Sequence, residues 1–153
     1  MTPFLNSRFD ERYPEFSPDG RWIAYTSNET ERDETYVLAF PGPSLKCQVS
    51  TEGGSQPLWA RNGRQLFYRR GNQVWVADVR TDNGFMADKP RLLFEKAGYY
   101  ISGNTVRDYD MSSDGRRFLM AKLEQRKPTP VTEMILVQNW CGELKRLLPA
   151  GRN

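Results

Sequence analysis

The sequence predicts an all-β fold assembled from three tandem copies of one antiparallel unit, and three observations carry that prediction. A phrase recurs: "EFSPDGRWIAYTS" (15–27) returns as "LWARNGRQLFYRR" (58–70) and again as "DMSSDGRRFLMAK" (110–122). Phe16, Trp59 and Met111 fall in phase at offsets of 43 and 52 residues, close to the period of repeat architectures. Each copy sets Asp-Gly or Asn-Gly between strand-forming residues, a strong hairpin signal because glycine accepts the positive φ of a tight turn. Beyond each hairpin lie more strand-like segments divided by turn residues, with no stretch suited to a crossover helix. Four short antiparallel strands in about 45 residues is the pattern of a β-propeller blade. A small β-sandwich is the rival arrangement, and it leaves the three in-phase copies unexplained.

The elements follow in order. "TPFLNSRF" (2–9) precedes the first hairpin and corresponds to the fourth strand of a preceding blade. The first blade spans 13–52, with "TYVLAF" (35–40) and "KCQVST" (46–51) after its hairpin. The second spans 57–95, with "QVWVADV" (73–79) and "PRLLFE" (90–95). The third spans 108–148 and continues into "EMILVQNW" (133–140). At its end Trp140, Leu144, Leu147 and Leu148 are spaced as on one helical face, with Asn139 a cap and Pro149 a stop. Residues 141–148 thus read as a helix, or else as an ordinary fourth strand. If helical, the third blade lacks its outer strand, and the 2–9 segment of a second copy supplies it by strand addition. Residues 1–153 then form a single half-propeller domain.

At these residues the chain resembles a known family. "FSPDGRWIAYTSN" resembles the repeat of TolB-like β-propellers, also called PD-repeat propellers, including those attached to bacterial serine/threonine kinases. "DYDMSSDGRRFLM", "PRLLFE" and "NWCGELKRLLPAGR" are similar to the last blades of such kinase-attached propellers. The second hairpin departs from the pattern, with "ARNG" in place of "SPDG", which leaves the turn intact. The resemblance implies a six-bladed ring, protein contacts and, for a full-length parent, a periplasmic or extracytoplasmic setting; it carries no catalytic residue across. No kinase motif is present in the chain.

Three blades cannot close a ring that takes four to eight, and they would expose two apolar faces and open strand edges. The chain is therefore expected to pair with itself as a two-fold homodimer of six blades joined by two identical seams. Phe4, Leu5, Phe9, Trp140, Leu144 and Leu147 are the residues expected at that interface. A fragment of a longer propeller is the competing account.

Composition bounds the chemistry. There is no histidine, so Ser-His-Asp and Cys-His hydrolysis, His-ligated metals and imidazole acid–base catalysis are excluded within this chain. Cys47 and Cys141 form neither a CxxC motif nor a metal set, and no cofactor or metal is expected. The net charge of +3 is spread as −3 over 1–51, +4 over 52–107 and +2 over 108–153, too dispersed for a nucleic-acid footprint. Asp19 and Asp114 sit one per turn, too few oxygens for calcium, and are expected to accept backbone hydrogen bonds. No apolar run is long enough to span a membrane, and "MTPFLNSRFDERY" lacks the regions of a signal peptide, so a soluble chain is expected.

Function is expected on the loop face opposite the hairpin turns, where 96–110 is the longest connection. Arg69, Arg70, Tyr99, Tyr100, Arg107 and Asp108 combine aromatic area with charge, the residue types of binding hot spots. An anionic peptide or carboxylate ligand would suit the arginines. The sequence thus points to a non-catalytic module for protein–protein interaction or ligand sensing. Two alternatives stand beside it: a glycosidase- or lyase-like enzyme using two carboxylates across a central channel, and a purely structural fragment without a ligand.

Overall fold

The computed structural model describes residues 4–42, 45–99 and 106–122. Among them there is no α-helix, and none therefore long and apolar enough to cross a membrane. The chain is all-β and antiparallel. The first sheet is a four-stranded meander of β1 (Glu11–Phe16), β2 (Trp22–Ser27), β3 (Glu34–Ala39) and β4 (Lys46–Gln48) in that order. The second runs through β5 (Ser55–Trp59), β6 (Gln65–Arg70) and β7 (Gln73–Arg80). The outer edge of β7 is shared by β8 (Met86–Ala87) at one end and β9 (Arg91–Glu95) at the other. A third sheet begins with β10 (Tyr109–Met111) paired to β11 (Phe118–Met120). This succession of up-and-down sheets is consistent with a propeller-like fold. The segments 133–140 and 141–148, and with them Trp140, Cys141, Leu144 and Leu147, lie outside the described residues.

The three hairpin turns are built alike because their sequences are alike. Gly20, Gly63 and Gly115 take φ of 70°, 68° and 69°, where a side chain would be strained. Each donates its N–H to the carbonyl three residues back: Ser17, Ala60 and Ser112. The side-chain oxygens of Asp19, Asn62 and Asp114 each accept the N–H two residues ahead, at 3.1, 2.9 and 3.1 Å. Two turns add a serine. Ser17 and Ser112 donate from their hydroxyls to the aspartate, at 2.6 and 2.5 Å, and accept from Trp22 and Arg117 N–H. These bonds hold the Asp114 carboxyl below its ordinary range; at Asp19 slight burial works against them, and they prevail.

Strand alternation sends successive side chains to opposite faces, so each sheet offers one apolar face to the sheet before it and one to the sheet after. The seam between the first two sheets holds Trp22, Ala24 and Val37 from one side and Trp59, Leu66, Tyr68 and Ala77 from the other. Phe85 wedges between the two indoles, with ring centroids 5.5 Å from Trp22 and 6.2 Å from Trp59. Each such buried aromatic contributes roughly 1.5–3 kcal/mol by leaving water. The next seam packs Leu58, Phe67 and Val76 against Tyr109 and Met111, with Phe118 and Met120 at its margin. Cys47 is a half-buried free thiol beside the first seam.

Among the described residues, sheet one also has a face with no sheet against it. Tyr25, Tyr36 and Leu38 form a cluster there, and Phe4 and Leu5 lie partly buried on it. Phe40 touches Phe4 and Phe16 at centroid distances of 5.4 and 5.0 Å. Residues 4–9 carry no strand within the single chain.

Two glycines provide a test. A Cβ at Gly54 would lie 2.5 Å from Ser50 Oγ and 2.9 Å from Tyr68 Cδ2, whereas one at Gly20 meets only the strain of its positive φ. Gly54→Ala should cost about 2–3 kcal/mol and Gly20→Ala about 1 kcal/mol in urea unfolding. Equal losses would contradict this account of the close approach at Gly54.

Candidate functional site

The first strands of the sheets share an irregularity. In β1 the pairing jumps from Arg12↔Thr26 to Glu15↔Ala24, and in β5 from Ser55↔Arg69 to Leu58↔Phe67. The extra residue of each bulge, Tyr13 and Gln56, has positive φ (56° and 55°), and each precedes a proline. Asp108 holds the matching place in the third copy of the repeat.

The bulge turns Gln56 toward the third sheet. Its Nε2 donates to the Asp108 carboxylate at 2.9 Å while its Oε1 accepts the Asp108 N–H at 3.2 Å. Its own N–H reaches back to Thr26 Oγ1 in the first sheet, and its carbonyl accepts the Tyr109 hydroxyl at 2.8 Å. A buried glutamine thereby joins all three sheets. Beside it, Arg107 donates from Nη1 to Pro57 O and from Nε to Tyr109 O, both at 3.1 Å, and pairs with Glu15 of β1. Glu15 also accepts the Trp59 N–H at 3.4 Å. Arg12 grips Asp33 through both carboxylate oxygens, at 2.7 and 2.8 Å, and pairs with Asp10.

The residues singled out in the sequence separate into different surroundings. Arg107 and Asp108 belong to this polar junction. Arg69 lies within it too but is only 1% exposed: its guanidinium donates to Gly71 O at 3.3 Å, and burial lowers its pKa while Asp108 and Tyr109 pull the other way. Arg70 sits apart, bonded to Glu52 at 2.8 Å and 5.8 Å from the Trp75 ring centroid. Tyr99 is half-exposed and bridges to Lys122. Tyr100 lies outside the described residues. Phe4 and Leu5 rest on the first sheet's unpartnered face, and Phe9 lies beneath the Arg8 guanidinium, 5.1 Å from its centre. Sequence reasoning missed Gln56 and Glu15. The signal available for Gln56 was Tyr13-Pro14 and Gln56-Pro57 in one register of the repeat.

Glu15, Asp33 and Asp108 are each committed to an arginine or an amide. Among the described residues, no group of three or more acidic or thiol side chains is placed to hold a metal ion.

No family model matches the sequence, and no curated protein matches it significantly. Among solved structures, the chain is similar to one assigned as a TolB of Agrobacterium tumefaciens, at 21% identity and a TM-score of 0.46. The match covers 60% of this chain and 36% of that one, so it spans about a third of that protein, and no functional residue is carried over from it.

Two outcomes follow from the junction. Removing the Gln56 side chain (Gln56→Ala) should cost about 1–3 kcal/mol, because a buried amide that meets both the carboxylate and the N–H of half-buried Asp108 is lost, while Tyr109→Phe should cost only about 1 kcal/mol. Chemical denaturation of both variants checks the order. Burial also raises the phenol pKa values: Tyr68 is pushed up to about 12, with Glu34 and Glu52 adding to the effect against Arg70, and Tyr109 is raised well above 10. Folded values above unfolded ones mean that this stability is complete below pH 10 and is lost as pH climbs through the folded values. In an alkaline titration followed by tyrosinate absorbance, these two should ionise only above pH 10, together with loss of the fold. A single transition near pH 10 with the fold intact would contradict their burial.

Proposed function

We propose that this chain is a non-catalytic interaction module, a half-propeller that pairs with a second copy to make a six-bladed ring and presents that ring to a protein, peptide or small ligand. The observation that carries the reading is the unpartnered aromatic face of the first sheet. A cleft of about 370 Å³ opens there, lined by Phe4, Leu5, Phe16, Ile23, Tyr25 and Phe40 among others. Large exposed apolar surfaces of this kind mark interaction sites. The carboxylate commitments of Glu15, Asp33 and Asp108 weigh against two-carboxylate catalysis, which needs one acid free to give up a proton and one base free to take it.

In this reading the segment 2–9 of each copy completes the partner's last sheet. Light scattering should give twice the 17.7 kDa mass of the chain, and deletion of residues 1–9 should return the molecule to a single chain. A wild-type chain at 17.7 kDa would defeat the proposal; a truncated chain that still dimerises would defeat the strand exchange alone.

A further inference from the structure

If the chain is an incomplete ring, as proposed above, a further surface covers its first sheet. The repeat places residues of the second strand in strict correspondence: Ile23, Leu66 and Phe118; Ala24, Phe67 and Leu119; Tyr25, Tyr68 and Met120. Leu66 and Tyr68 face back into the seam with the first sheet, and Phe118 and Met120 face back into the seam with the second. Ala24 and Phe67 face forward, each into the seam with the sheet that follows. Every seam in the described chain is therefore a forward face of one sheet laid on the backward face of the next.

Among the described residues two surfaces are left over, one of each kind. On the backward face of the first sheet, Phe16 is 53% exposed although its counterparts Trp59 and Met111 are buried. Phe40, whose ring centroid lies 5.0 Å from that of Phe16, is exposed as well. On the forward face of the third sheet, Leu119 is 76% exposed although its counterparts Ala24 and Phe67 are buried. Phe16 and Leu119 are apolar because the repeat needs an apolar residue at those positions wherever a neighbour stands.

We infer that the Phe16 face of the first sheet receives the Leu119 face of the third sheet of a second copy, head to tail, and that the same contact recurs to close the pair. The occupant follows from the seams: among the described residues a backward face is covered twice, each time by a forward face. A head-to-tail contact closes into a ring when its rotation permits and otherwise propagates. Two such contacts between two copies leave neither surface exposed.

The inference has a complementation test using the full chain. Phe16→Lys breaks the backward face and Leu119→Asp the forward face; both side chains are exposed in the single chain, so each variant should fold, which circular dichroism verifies. Each variant alone should run as a single chain in sedimentation, because both of its seams then contain a charge against an apolar surface. An equal mixture should recover the pair, since one seam then combines two native faces and the other sets Lys against Asp. A Leu119→Asp variant that still dimerises would overturn the head-to-tail contact in favour of back-to-back association, and the closed six-bladed ring with it, leaving only self-association standing. A mixture of folded variants that fails to pair would overturn it too. If the wild type itself does not pair, the proposal of an incomplete ring fails along with this one.

Discussion

The structure depends on the covering of sheet faces. A strand sends alternate residues to opposite sides, and the second sheet, apolar on both, lies buried between the first sheet before it and the third behind it. Trp22, Phe85 and Trp59 fill the first seam; Phe67, Phe118 and Tyr109 fill the second, with ring centroids 5.3 and 6.2 Å from Phe118. Tilted and edge-on ring pairs of this kind add about 0.5–1.5 kcal/mol each beyond their buried area. The aromatic content of a chain with mean hydropathy −0.72 is thus concentrated where sheets meet.

Apolar seams alone would let sheets slide, and the polar junction of the first strands opposes that. Gln56 serves because an amide carries both a donor and an acceptor, and Asp108 offers one of each to meet them. Positive φ at Gln56 and Tyr13 is an unfavourable backbone state for a residue with a side chain, tolerated where the surrounding contacts over-determine it. The same junction gives the molecule its chemical character. Its carboxylates are bonded to arginine and amide groups, which suits rigid presentation of a surface more than proton transfer.

What was legible in the sequence was what local chemistry settles. Asp-Gly and Asn-Gly define their own turn, so Gly20, Gly63 and Gly115 could be placed without knowing their neighbours. Period-two alternation located the third and fourth strands of the first two sheets for the same reason. Arg69 shows the limit: its charge suggested a loop face, yet β6 carries it into the junction, where Asp108, 39 residues further along the chain, works against the cost of burial. Gln56 shows the converse. A lone Gln-Pro dipeptide gives no sign of burial, because its partners come from two other sheets.

The sequence by itself determined the repeating hairpin, the turn chemistry and the alternation of apolar residues, since these depend on contacts a few residues apart. Only the tertiary structure decided which face of each sheet is covered, which arginine is buried and which carboxylates are committed. Those outcomes depend on seams between segments more than forty residues apart, where equivalent positions such as Phe16 and Trp59 differ in exposure solely because a neighbouring sheet lies against one and not the other.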